Sequence, residues 1–580
     1  MHVRDAPPRP APPRRARDVP PRALVGETPA PPPRAGRPPR ASRPSPITMT
    51  HMDEHRPAMR ATDLDAFREH LEHPIGRDHV PAHARSGTAG GARCGDLVRI
   101  DITVEGDRVL DAGFAAAGCG AAHAAGSAAV ALVRGAHVLD AARVGTQAVA
   151  AELGGLSPGK VHAAELAADA LHRALGAAVR HHAELSPQPN RTLVAMSGGV
   201  DSAVAALAVT ETGREAVAVT LELWADEAND PEGSCCSASA VRGARALAHR
   251  LSLAHLTLDL RAEFRAGVVT PYLEAHAAGH TPNPCVRCNG SVRLDGMLAL
   301  GERLGAADLA TGHYARVGPG PQPLLRRAAD PTKDQSYVLA ALPPGSLARM
   351  RFPLGELTKP EVRARARAAG LAEADRPDSQ DLCFLAGTNR AAFLAGHGGP
   401  RDREGEIVDR RGRRLGSHRG HHHFTVGQRR GLGLGGGVPR YVLSTDAQTN
   451  RVVVGDRDEL GTTAVLVRGA ELRLDGARVD AVRLRYRQAP VPCHVAAPVG
   501  ARAGAHDVLE LGLSEPVAGA APGQLACLMA GDAVAGWGTI AGATPPTTAS
   551  PALQQGARQR AATGTDGPRR AGSAPARAAG

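Results

Sequence analysis

Apolar and polar positions alternate with two different periods along the chain, and the switches between them mark its elements. Thr192 to Met196 is a short β-branched and apolar run that stops at Ser197-Gly198-Gly199. An Ala/Val-rich helical pattern, Ala203 to Val209, starts just after Ser202. Further strand-like runs, Ala216 to Leu223, His255 to Leu260 and Leu309 to Thr311, alternate with helical ones, Ala238 to Leu251 and Val292 to Leu304. Such alternation predicts a doubly wound parallel sheet, whose ligands sit at the carboxyl ends of the strands.

On either side the pattern is different. Between Asp63 and Glu184 it is α+β: a helix-like AFREHLEHP, then two alternating runs, Leu97 to Val104 and Arg108 to Phe114, joined by the hairpin signal Glu105-Gly-Asp. Helical stretches follow at Ala121 to Val133, His137 to Ala142, Thr146 to Leu153 and Lys160 to Ala178, and a polar linker is expected from His181 to Asn190. Beyond Gly355, Thr358-Lys-Pro-Glu predicts a helix with a Thr cap and an early Pro. Asp375 to Cys383 reads as a polar loop. Short strands from Glu406 to Ile540, among them Tyr441-Val-Leu, Arg451-Val-Val-Val-Gly, Val482-Arg-Leu-Arg-Tyr and Val508-Leu-Glu-Leu, predict small β domains ending in a barrel.

The expected map is a disordered Pro/Arg-rich segment 1–52, an α+β domain 53–184, an α/β domain 190–375, a central β-rich domain 376–455, a β-barrel 456–543 and a disordered tail 544–580. Met49 or Met52 is the expected start, because periodic sequence begins only after them.

Composition changes this picture in three ways. Aromatic residues are only 2%, so the cores must be built from Leu, Val and Ala. The formal charge of +11 points to nucleic acid, yet residues 1–48 carry +7 and residues 544–580 carry +4, which leaves the stretch between them neutral. Any RNA surface on the folded part is therefore a local patch, and the Arg-rich tails are mostly solvated. Nine cysteines with no secretory signal pattern, and no long apolar window, indicate a cytoplasmic protein with reduced thiols and no membrane partner.

The chemistry begins at Ser197-Gly-Gly-Val-Asp-Ser202. Paired glycines ahead of a helix offer N–H groups to an anion, and no Lys stands where a Walker A loop needs one. The loop suits an enzyme that grips the whole pyrophosphate, with Ser197 and Ser202 as added donors and Asp201 as an expected Mg²⁺ ligand. It resembles the signature of the PP-loop ATP pyrophosphatases. Further on, Thr281-Pro-Asn-Pro-Cys-Val-Arg-Cys-Asn289 presents a CxxC rigidly, with Arg287 favouring thiolate, and Cys383 lies in Asp378-Ser-Gln-Asp-Leu-Cys-Phe384. With Thr311-Gly-His-Tyr314, Lys333-Asp-Gln-Ser-Tyr337, Thr425-Val-Gly-Gln-Arg-Arg-Gly-Leu-Gly433, Arg485-Tyr-Arg-Gln488 and Pro522-Gly-Gln524, the chain from about 191 to 540 resembles the tRNA-specific 2-thiouridylases, the MnmA family.

That resemblance implies adenylation of the carbon-2 oxygen of the wobble uridine of tRNA, then replacement by sulfur. It assigns catalysis to Cys288 and Cys383, with Cys383 carrying a persulfide. ATP would be held by Ala195, Met196, Ser197, Gly198, Gly199, Val200, Asp201, Ser202, Leu221 and Gly312. The target base would meet Asn283, Pro284 and Cys285, and the tRNA would meet His313, Lys333, Asp334, Gln335, Arg485, Tyr486 and Gln524. ATP, Mg²⁺, tRNA and a sulfur donor, either a cysteine desulfurase or a sulfur relay protein, are the implied cofactors and partners. The position of Cys285 is often Asp in the family. Three thiols, Cys285, Cys288 and Cys383, could instead hold a 4Fe-4S cluster that delivers sulfide.

The α+β segment resembles the U-type (NifU/IscU-like) iron-sulfur scaffolds at Ala92-Arg-Cys-Gly-Asp96, Gly118-Cys-Gly-Ala121 and Val161-His-Ala-Ala-Glu-Leu-Ala-Ala-Asp169. Cys94, Asp96, Cys119 and His162 match the expected ligands, but Ala163 stands at the third Cys, which weakens a cluster and leaves docking or stability as an equal alternative. A rival reading makes the whole chain an iron-sulfur or sulfur carrier with a regulatory PP-loop domain. Another makes it a different PP-loop synthetase. Cys235-Cys236 is read as packed or substrate-side, Cys493 and Cys527 as core, and His418 with His421 to His423 as a solvated or RNA-facing loop.

Overall fold

A computed structural model describes residues 61–90, 95–226, 238–377, 382–385, 387–435 and 438–544. Both terminal segments, Cys94, the Cys235-Cys236 pair and residues 378–381 beside Cys383 lie outside the described residues.

The first domain is an antiparallel sheet of β1 (Arg85–Gly90), β2 (Leu97–Glu105) and β3 (Arg108–Ala117), covered by helices Ala61–Glu72, Gly120–Val133 and Val161–His182. Alternation along β2 and β3 turns Ile100, Ile102 and Phe114 into the core, against alanine faces of the helices. Strand β1, Arg-Ser-Gly-Thr-Ala-Gly, has no apolar alternation and was not expected; small residues let it lie between β2 and the long helix.

The long helix is the joint to the next domain. Arg245 of the helix Ala238–Arg250 pairs with Asp169, and Arg173 Nη2 lies 2.7 Å from Glu222 Oε1. His172 is fully buried there, with Nδ1 2.8 Å from the carbonyl of His255 and Nε2 2.9 Å from that of Val144. Burial holds its pKa well below the usual histidine range, so the ring is neutral and donates to only one of the two carbonyls. The expected linker is shorter than its sequence suggests, because the helix runs to His182 and the next strand starts at Gln188.

The second domain is a parallel sheet in the order β10-β7-β4-β5-β6: β4 (Gln188–Ala195), β5 (Glu215–Glu222), β6 (Ala254–Asp259), β7 (Ala306–Ala310) and β10 (Met350–Arg351). Leu193, Val194, Ala218 and Val219 are completely buried, as strands covered on both faces require. Helix Lys359–Ala368 opens on a Thr358–Glu361 capping box.

A hairpin, β8 (Ala315–Val317) and β9 (Leu325–Arg327), leaves this domain and pairs with the final barrel. Before the barrel comes a four-stranded sheet, β12-β11-β14-β13, of β11 (Gly405–Val408), β12 (Arg414–His418), β13 (Tyr441–Asp446) and β14 (Arg451–Gly455) around Ile407, Val442, Val452 and Val454. The barrel then follows with β15 (Gly461–Leu472), β16 (Ala481–Arg483), β17 (Val491–Ala497), β18 (Gly504–Ala518), β19 (Leu525–Ala530) and β20 (Ala533–Thr544), closed by pairing of β15 with β20. The strand expected over Val482 to Tyr486 stops at Arg483, whose guanidinium turns inward to Asp334. Cys493 and Cys527 are buried in the barrel, and burial pushes both thiols up to about 12.

Candidate active site

The glycine turn closes β4 and opens helix Val200–Glu211. Gly198 has φ +72°, a backbone that favours glycine. The Ser202 hydroxyl organises the turn from within, accepting from the Ser197 N–H at 3.1 Å and donating to the Gly199 carbonyl at 2.9 Å. Gly312 lies against the helix start, where a Cβ would come within 2.8 Å of the Ser202 nitrogen. Val200 packs into the core and offers the site only its backbone.

Asp201 has partners that its sequence did not suggest. Its carboxylate accepts from Lys359 Nζ at 2.7 and 2.8 Å and from the Tyr314 hydroxyl at 2.8 Å. In this arrangement it is a lysine partner, with 33% of its side chain still exposed. Lys359 is 8% exposed. The sequence showed it only as the first residue of a capped helix and as one of three lysines in an arginine-rich chain.

Beside the turn opens a cavity of about 770 Å³. Ala195, Met196, Ser197 and Leu221 line it from the nucleotide side, and Asn283, Pro284, Cys285, Cys288 and Cys383 from the other. Asn283 caps the helix Pro284–Cys288 by accepting from the Cys285 N–H at 3.1 Å, and Pro284 fixes its first turn. Cys288 is buried, Cys285 and Cys383 half-buried. Arg287 lines a second cavity, of about 580 Å³, that shares Asn283 and Pro284 with the first. Two arginines missed by the sequence reading do line the thiol cavity, Arg293 and Arg390, and the buried Nε of Arg293 has no hydrogen bond within the protein.

The seven residues expected to meet tRNA separate into groups. His313, Gln335 and Tyr486 line the thiol cavity. The Thr311 hydroxyl lies 2.9 Å from His313 Nδ1, and burial, then the charge of Arg293, lower the pKa of that ring to about 3, so it is neutral. Gln335 accepts from the Tyr314 N–H at 2.9 Å. Arg485 and Gln524 line a separate cleft with Thr425 to Gln428, and Gln524 Nε2 donates to the Thr281 carbonyl at 2.7 Å, tying the barrel to the segment ahead of the CxxC. Lys333 is half-buried. Asp334 has an architectural pairing that its sequence did not suggest. It is 5% exposed, accepts from Arg483 Nη1 at 2.6 Å and from the Ser336 hydroxyl at 2.9 Å, and so anchors the barrel to the nucleotide domain.

In the first domain Asp96, Cys119 and His162 converge, their ligand atoms all within 4.8 Å of one another. Asp96 accepts from the Cys119 N–H at 2.9 Å, and its other oxygen lies 3.1 Å from both Cys119 Sγ and His162 Nε2. The Cys119 backbone and thiol bonds, then His162, hold the Asp96 carboxyl below its usual range. Ala163 is fully buried core. Among the described residues Asp96, Cys119 and His162 supply one thiol, one carboxylate and one imidazole, a set that fits a borderline divalent ion; Cys94, the other matching cysteine, lies outside them. The His418–His423 stretch also departs from expectation: His418, His421 and His422 are buried, not solvated.

A pyrophosphate-gripping turn facing a set of thiols, carried on a parallel sheet and joined to a scaffold-like domain and two β domains, defines a fused PP-loop enzyme of the sulfur-transfer class. Family models agree along the chain: the NifU-like N terminal domain matches residues 65–183, the tRNA methyl transferase HUP domain 190–387, the tRNA methyl transferase PRC-barrel domain 391–456 and the aminomethyltransferase beta-barrel domain 474–540. The bifunctional protein NifU/MnmA of Rubrobacter xylanophilus is 44% identical over 487 residues, 82% of this chain and 97% of its own. The tRNA-specific 2-thiouridylases MnmA of Methylorubrum extorquens and Acidithiobacillus ferrooxidans are 43% and 42% identical, over 61% of this chain and 94% and 98% of theirs. The chain belongs to the MnmA family, in the form fused to a NifU-like domain. Among the described residues no helix is long and apolar enough to cross a membrane.

Proposed function

We propose that this chain is a cytoplasmic enzyme that 2-thiolates the wobble uridine of tRNA at the expense of ATP. The observation that carries this reading is the single cavity shared by Ser197 of the glycine turn and by Cys288 and Cys383. The carbon-2 oxygen of uridine is a poor leaving group; attack of that oxygen on the α-phosphate makes it an AMP ester and releases pyrophosphate, held by the turn's N–H groups with Ser197. Arg293, with an unmatched buried nitrogen, adds positive charge on the same wall.

Sulfur then arrives through Cys383, charged as a persulfide by a desulfurase or relay protein. The outer sulfur bonds to carbon 2 and AMP leaves. Cys288 attacks the Cys383 sulfur, the S–S bond breaks toward the base, and a Cys288–Cys383 disulfide remains for an external dithiol to reduce. Asn283, Pro284, Cys285 and Tyr486 surround the space for a base withdrawn from its stack, and the Arg485–Gln524 cleft receives the adjoining RNA.

The test is the amount of thiolated wobble uridine in tRNA from a deletion strain carrying wild type, Ser197→Ala or Cys383→Ser. Wild type restores it and neither variant does; equal rescue by all three overturns the enzymatic reading and leaves the carrier reading. A second reading rests on Cys285 lining the same cavity: the three thiols would hold a 4Fe-4S cluster that supplies sulfide. Anaerobic purification with absorption and EPR, Cys285→Asp alongside, decides it, since a colourless, iron-free and fully active protein excludes the cluster.

A further inference from the structure

The central β domain holds a second convergence of ligand-type side chains, away from both sites above. Asp402 precedes β11, and His422 and His423 lie on the single turn that follows β12. Their ligand atoms all lie within 4.8 Å of one another. His423 Nε2 is 2.7 Å from Asp402 Oδ1, and His422 Nε2 approaches the same oxygen at 3.5 Å, beyond normal hydrogen-bond length. His422 is 4% exposed, its ring laid over Gly420, where a Cβ would stand 2.4 Å from Cε1. One imidazole is thus fixed by packing, the second is half-buried, and the carboxylate is at the surface. The other oxygen of Asp402 lies 2.7 Å from Nη2 of Arg419, a side chain otherwise in solvent.

We propose that Asp402, His422 and His423 bind a divalent transition ion of the zinc type. Two imidazoles and one carboxylate suit such an ion, with water completing a tetrahedral shell. The site is structural. Arg390 Nη2 donates to the His423 carbonyl at 2.9 Å and Nη1 to the Thr425 hydroxyl at 3.2 Å. Arg390 lines the thiol cavity and Thr425 the cleft of Arg485 and Gln524. An ion on His422 and His423 therefore fixes the turn from which both are braced.

Full-length protein is stripped with a chelator and titrated with Zn²⁺ against a chromophoric competitor, as wild type, Asp402→Asn/His423→Ala, Cys119→Ser and the combination. The Asp402/His423 change is expected to remove one equivalent of zinc in either Cys119 background and to abolish part of the zinc-dependent rise in melting temperature. With Co²⁺, Cys119→Ser protein should keep d–d absorption that disappears on adding the Asp402/His423 change. Unaltered stoichiometry and cobalt spectrum in the combined variant, with the fold intact by circular dichroism, overturn the proposal. His423→Ala alone, which removes a half-buried ring, gives a second reading of the same loss.

Discussion

Lys359 holds the aspartate of the glycine turn through two charge-assisted hydrogen bonds, each of a kind worth about 1.5–3 kcal/mol. Lys359→Met is therefore expected to lower ATP-dependent pyrophosphate release at least about tenfold, and Lys359→Arg to restore little, because the larger planar guanidinium lacks room at a position 8% exposed. Nothing in the local sequence marks this lysine as more than a helix start; its partner is 158 positions away. His276 is the opposite case, a histidine kept neutral. Burial, then Arg390, lower its pKa to about 3, whereas an unfolded chain takes up the proton near 6.5. Above 6.5 it has no effect on stability. As pH falls from 6.5 toward 3 the unfolded state binds a proton that the folded state refuses, and stability falls by about 1.4 kcal/mol per pH unit. Urea midpoints measured across that window should decline less steeply in His276→Asn.

Elements were legible where burial imposed one period. β5 is apolar from Ala216 to Leu221 apart from Thr220, the buried end of β4 is Leu193 to Ala195, and β2 alternates through Val98, Ile100, Ile102 and Val104. β1 was not legible because Ser, Thr and Gly carry no such signal; its position comes from the backbone ladder with β2. The site divides the same way. Ser197, Cys288 and Cys383 could be read because each sits in a compact motif, while Arg293, Arg390 and Lys359 reach the site from elements whose own sequence has another explanation. Asp334 shows the converse: a motif residue that also joins two domains through Arg483. Breaking its buried pair with Arg483 by Asp334→Ala should cost about 3–5 kcal/mol, read as a drop in the urea midpoint. Asp334→Leu/Arg483→Met should recover much of that loss while leaving the cavity side chains in place.

At the scale of the molecule, charge and fold are separated. The tails hold the whole formal surplus of +11, and the stretch between them is neutral. A protein of residues 53–543 is expected to keep its thiolation activity while its nonspecific RNA affinity weakens and its dependence on salt becomes shallower, measurable as the slope of log affinity against log salt concentration. The joint at Asp169, His172 and Arg173 has a consequence of another kind. A scaffold and an enzyme made as separate proteins meet by diffusion, at whatever ratio their genes dictate. One translation event here yields both in equal number, and the tether holds each near the other at a local concentration on the order of millimolar. Dilution of the cell's contents, or a change in expression, cannot alter that pairing.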